Sequence, residues 1–173
     1  MNELWIALAS VPEEGKEIIF DDPEIFEELF KENNFEGKIV APVKAKAYLL
    51  EQADGCLVRG EISGSVTISC DRCTETYTFP FSESFDEYET AAPEKGTPDD
   101  EPRIFNRGDG LELDLGQVFW EQFVLALPVR PLCADKCKGL CNSCGANLNK
   151  DKCDCEQETG DPRLAVFRNL KLK

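Results

Sequence analysis

The stretch Cys133–Cys155, CADKCKGLCNSCGANLNKDKCDC, constrains this chain more than any other, because it holds six of the nine cysteines. Thiols this dense are a metal site, a disulfide knot or a redox pair. The start of the chain, MNELWIALASVPEEGKE, lacks the basic opening of an export signal. A reducing cytoplasm is therefore the expected home, where clustered cysteines bind metal or do chemistry more often than they form disulfides. The sequence has no histidine. That removes His-based acid–base work, Ser-His and Cys-His dyads and mixed Cys/His metal sites, and leaves thiolates as the ligands of any metal, with carboxylates the only other candidates.

Zinc takes four thiolates in a tetrahedron, so ligand pairs must sit on sharp turns. Cys141-Asn142-Ser143-Cys144-Gly145 has that form, with a glycine free to take positive φ after the second sulfur. Cys141 and Cys144 are the firmest expected ligands, followed by Cys137 and Cys153, with Cys155 as the alternative to Cys153. A one-residue gap makes it hard for Cys153 and Cys155 to serve together. Cys133, directly after Pro131-Leu132, is expected to pack as a small apolar residue. The expected cofactor is Zn2+, with iron less favoured, since four thiolates do not separate the two.

A second C-x-x-C, Cys70-Asp71-Arg72-Cys73, stands at a predicted hairpin tip. It is open to three readings: a reduced pair packing the tip, a second or shared metal site, or a redox-active dithiol. Arg72 between the two cysteines is a candidate contact point. Cys56 alternates with core positions and reads as core.

The rest of the chain predicts an α+β fold, an antiparallel β-meander covered by helices, with a small zinc-knuckle-like module at the C-terminal end. Val43, Ala45, Ala47 and Leu49 alternate with polar residues, as do Cys56, Val58, Ile62 and Val66 and then Tyr77, Phe79, Phe81 and Phe85. Asp54-Gly55 is the hairpin turn between the first two runs. Gly60 and Gly64 fall on the inner parity, where they allow close approach. Asp22-Pro23 opens one helix, and Asp114 with Gln117 three residues on opens a second. Short strands are expected at Leu4–Ala9 and Ile18–Phe20, alternation at Leu111–Leu115, and a last helix from Asp161. Residues 1–127 form the acidic body, with a mobile loop at 89–103, and residues 128–173 the cysteine-rich module.

Net charge is −15 and unevenly placed. Residues 1–127 carry 10 Lys/Arg against 28 Asp/Glu, whereas residues 128–173 carry 9 against 6. An acidic body repels nucleic acid, so only the cysteine-rich end is expected to approach a phosphate backbone. Carboxylate runs such as Asp86-Glu87-Tyr88-Glu89 read as solvated charge. No catalytic constellation and no phosphate-binding glycine loop is present in the sequence.

Taken in order, Cys70-Asp71-Arg72-Cys73, Leu125-Ala126-Leu127-Pro128, Cys137-Lys138-Gly139-Leu140-Cys141, Cys144-Gly145-Ala146-Asn147-Leu148-Asn149, Cys153-Asp154-Cys155 and Asp161-Pro162-Arg163-Leu164 resemble the YceD family, the large ribosomal RNA subunit accumulation proteins, from about Val40 onward. The resemblance implies a non-enzymatic role in large-subunit rRNA accumulation or ribosome assembly. Partners would be large-subunit rRNA, a ribosomal protein or a pre-ribosomal particle, with no membrane and no small-molecule substrate. It also implies that the metal supports the fold, since some members keep the C-x-R-C pair without the C-terminal cluster. The competing expectation is a thiolate-iron or dithiol redox or electron-transfer protein.

Overall fold

A computed structural model describes residues 4–90, 102–107 and 110–155. The expected helix from Asp161 lies outside the described residues, as does most of the expected loop at 89–103. The chain divides into two compact units, one of residues 1–68 and 76–131, the other of residues 69–75 and 132–173.

In the first unit, strands β2 (Lys16–Phe20), β3 (Ile39–Gln52), β4 (Gly55–Ser69) and β5 (Thr76–Thr90) form one four-stranded sheet in that order. The expected three-strand meander is thus extended at one edge by Ile18–Phe20, which pairs antiparallel with β3 (Ile18 opposite Ala47). Register follows from the period-2 pattern: Ala45 faces Ile62, Ala47 faces Gly60 and Leu49 faces Val58. Val43, Ala47, Leu49, Val58, Ile62 and Val66 are fully buried. The two inner glycines of β4 have a packing reason. A side chain at Gly60 would strike the Phe85 ring and the Lys46 carbonyl, and one at Gly64 would press on Val43 and Phe81.

Two helices cover this face. Helix α1 (Pro23–Glu32) starts where the Asp22 carboxylate accepts from the Glu24 N–H, and α2 (Leu115–Ala126) where Asp114 accepts from the Gln117 N–H. Helix α1 packs on β3 and α2 on β5. Their residues Phe26, Phe30, Phe119, Trp120 and Phe123 form one network of ring contacts with Phe20, Phe35, Phe81 and Phe85, with centroids 4.5 to 6.4 Å apart. A second antiparallel sheet of β1 (Trp5–Ala7), β7 (Gly110–Asp114) and β6 (Ile104–Arg107) joins the first stretch of the chain to the segment leading into α2. Trp5 meets the tilted Phe105 ring at 5.5 Å and carries the Arg107 guanidinium 3.7 Å above its own ring.

One carboxylate run departs from the expectation of solvated charge. Glu89 lies on the inner parity of β5, is 7% exposed and accepts from Arg103 at 2.6 Å. Arg103 also pairs with Glu121 of α2, and Gln122 donates to Glu87. Burial of Glu89 is tolerable because its charge is paired.

Candidate metal centres

The second unit is built from turns: apart from Ser69, the last residue of β4, its described residues hold no helix and no strand longer than a bridge. The turn 69–75 joins β4 to β5. In it the Cys70 N–H donates to the Glu75 carbonyl and the Thr74 N–H returns to the Cys70 carbonyl, with Thr74 at φ +58°. The turn 141–146 repeats this bond for bond. The Cys141 N–H donates to the Ala146 carbonyl, the Gly145 N–H returns to the Cys141 carbonyl, and Gly145 sits at φ +75°. Both loops are C-x-x-C knuckles with a left-handed residue after the second cysteine. Leu140 and Asn147 bridge antiparallel below the second knuckle.

Eight cysteines gather into two groups of four, each with all sulfurs within 4.8 Å of one another. The first is Cys70, Cys73, Cys133 and Cys137; the second is Cys141, Cys144, Cys153 and Cys155. The four expected as one ligand set are therefore not brought together. Cys141, Cys144 and Cys153 share a site, but Cys137 joins the 70–73 knuckle, with its sulfur 3.8 Å from that of Cys70. Cys153 and Cys155, expected as alternatives, both stand in the second group. Cys133, expected to be buried and apolar, is exposed, with its sulfur 3.6 Å from that of Cys73. Cys56, the ninth, is core, and burial pushes its thiol up to about 11.

The regrouping has a physical cause in the 137–140 turn. Gly139 takes φ +78° and lies against Arg72, whose carbonyl accepts from the Leu140 N–H at 3.0 Å. The Arg72 guanidinium donates to the Cys137 carbonyl at 2.9 Å. Arg72, the candidate contact point, is half-buried and fastens one turn to the other. Asn149 completes the tie: its side-chain oxygen accepts from the Lys138 N–H at 2.8 Å and its amide points at the Cys137 sulfur at 3.3 Å. Glu75 adds a 2.8 Å ion pair to Lys150.

Both groups fit a tetrahedral thiolate ion. Bonds of about 2.3 Å put tetrahedral sulfurs roughly 3.8 Å apart, and the measured separations are 3.8 and 3.6 Å in the first group and 3.3 and 3.5 Å in the second. The electrostatics also suit a cation. Burial works against ionising Cys70, yet the backbone N–H groups of Cys133, Cys73 and Arg72 outweigh it and bring the thiol down to about 6. In the second group the N–H groups of Cys144 and Ser143 bring Cys141 to about 6. The last members resist: Cys73 with burial holds Cys133 up at about 12, and Cys153 and Cys144 hold Cys155 there. Full ionisation of either group calls for a cation in its middle.

The sequence pattern of the family described as "Large ribosomal RNA subunit accumulation protein YceD" matches residues 58–171. The chain belongs to the YceD family. The match takes in both knuckles and all eight grouped cysteines and begins at Val58, later than Val40. A curated relative, "Large ribosomal RNA subunit accumulation protein YCED homolog 1, chloroplastic" of Arabidopsis thaliana, is 38% identical over 60 residues. That alignment covers 35% of this chain and 19% of the relative, so the chain spans about a fifth of that protein's length. No solved structure matches. Among the described residues, no helix is long and apolar enough to cross a membrane.

Proposed function

We propose that the chain is a non-enzymatic factor supporting large-subunit rRNA accumulation and ribosome assembly in a reducing compartment such as the cytoplasm. Each tetrathiol group would hold one structural Zn2+, which supplies fixed geometry and no reaction step. The observation that carries this reading is the family match running through both C-x-x-C knuckles. The place of Cys70 and Cys73 in a four-cysteine group argues against a freestanding dithiol.

Charge favours a protein partner over a phosphate backbone. The unit of residues 69–75 and 132–173 carries nine Lys/Arg and eight Asp/Glu, close to balance with its cysteines neutral. Each zinc tetrathiolate adds a charge of −2, so the loaded unit is net negative, and the first unit is strongly acidic. Counterion release, the main source of nucleic-acid affinity, is then weak. A basic ribosomal protein is the complementary surface.

The deciding experiment is affinity purification of the full chain, with metal analysis and mass spectrometry of what copurifies. The expected result is a colourless protein with two zinc per chain that brings down large-subunit precursors or a ribosomal protein. A coloured, iron-loaded protein, or one with no ribosomal material, would overturn the reading.

A further inference from the structure

Outside the cysteine groups, the first unit holds an open groove of about 550 Å³ beside α1. Its floor is apolar: Leu4, Trp5, Ile25 and Leu29. Its wall is one edge of α1, where Glu24, Glu28 and Glu32 recur every fourth residue, a rise of about 6 Å per step. Asp22 and Asp114 also line it, and among the described residues no lysine or arginine does.

Three occupants are disfavoured. A nucleic acid would meet five carboxylates. A small anion would find both nearby helix N-termini already capped, by Asp22 and Asp114. A metal ion would find no tight carboxylate group, since the only sets of close-set ligand atoms among the described residues are the two of cysteine. What complements an apolar floor with a carboxylate row is a segment bearing Lys or Arg on one edge and aliphatic side chains on the other.

We propose that this groove docks a basic, amphipathic segment of a partner protein, with the partner's aliphatic side chains over the half-buried Trp5 and Ile25 and its cations along Glu24, Glu28 and Glu32. The proposal deepens the protein-partner reading above and rests on it. Most of the groove lies before Val58, outside the family match.

The test is fluorescence anisotropy of the full, zinc-loaded chain with a short labelled peptide of Lys, Arg and Leu in amphipathic order. A second peptide has its leucines replaced by serine, and a short single-stranded RNA is the third probe. The combined variant Glu24→Gln, Glu28→Gln, Glu32→Gln removes three exposed charges without touching the core. It should weaken the amphipathic peptide about tenfold. The charge-matched variant Glu36→Gln, Glu51→Gln, Glu83→Gln should leave it unchanged, and the serine peptide should bind more weakly than the leucine one. Equal loss in both variants, equal affinity for both peptides, or tighter binding of RNA that the groove variant abolishes would each overturn the proposal. None of these outcomes bears on whether the chain copurifies with ribosomal particles, so the two readings fail separately.

Discussion

In the first tetrathiol group Cys70, Cys73 and Cys137 are 1%, 2% and 4% exposed and Cys133 alone is open, whereas in the second Cys144 and Cys155 are open to solvent and Cys141 and Cys153 half-buried. The knuckles at their centres are the same loop, with the same two backbone bonds and the same left-handed residue. The difference lies in what each knuckle closes on. The first draws in residues 60 or more positions away, through Arg72, Gly139 and Asn149. The second is closed by Cys153 and Cys155, nine to fourteen residues along the same segment. A site assembled from distant segments carries the fold of its unit, while a local one stiffens only its own loop.

The largest expected effect sets the two groups against each other. Structural zinc contributes roughly 10–16 kcal/mol of apparent binding energy in small domains. With one zinc in each group, as proposed, Cys70→Ser should therefore drop zinc from two to one per chain and strip hydrogen-exchange protection from residues 69–75 and 132–140 together. Cys155→Ser should also cost one zinc, but lose protection only across residues 141–155. On the unmutated protein, a chelator should remove the zinc of the exposed group first, leaving a slow phase that Cys155→Ser does not change. Native mass spectrometry and exchange read both. A single-phase release would erase the distinction.

How much of this was legible in the sequence differs between the units in the same way. In the first unit local rules agreed with the outcome. Alternation in β3 and β4 gave the buried face, Asp22 and Asp114 gave the caps, and Gly60 and Gly64 gave the close approach of Phe85 and Phe81. Glu89 was missed because its ion pair depends on Arg103, a partner that strand parity does not name. In the second unit the Cys141–Cys144 knuckle was legible from its glycine. The first knuckle was placed at a hairpin tip with a metal site as one of three readings, left open because a threonine holds the left-handed position, and Cys137 was grouped by nearness in sequence when it comes to the first knuckle through the contact with Arg72. A signal was present: eight cysteines in C-x-x-C and near-neighbour pairs suit two tetrahedral ions better than one with spare thiols.

A smaller effect tests the tie that separates the groups. Asn149 orients the first group by donating toward the Cys137 sulfur and accepting from Lys138, a role in which partners behind the ligands are worth about 10–100-fold in metal affinity. Asn149→Ala should weaken zinc at the buried group by about tenfold in competition titrations and leave the exposed group unaltered. An Asn149→Asp variant restores the acceptor but not the amide donor, and should recover the turn without recovering the affinity. Equal weakening at both groups would mean that Asn149 supports the whole unit and not one site.

The smallest effect compares the twin left-handed positions. Left-handed backbone costs a residue with a Cβ about 1–2 kcal/mol relative to glycine, and more strain attends a β-branched one. Gly145→Ala puts its methyl in open space, so only that backbone cost should appear, as earlier loss of the exposed group on heating. Gly139→Ala meets the same φ penalty and also brings Cβ to 3.0 Å from the Arg72 carbonyl, so it should cost more and should act on the buried group. Thr74→Gly runs the other way. It relieves the strain at φ +58°, but loses the threonine hydroxyl's 2.7 Å bond to the Cys73 carbonyl and adds chain entropy to the unfolded state of about 0.5–1 kcal/mol. These terms nearly cancel, so Thr74→Gly should shift thermal stability by less than either glycine substitution. A large loss at Thr74→Gly would show that the hydroxyl, and not the backbone form shared by the two knuckles, is what holds the first one shut.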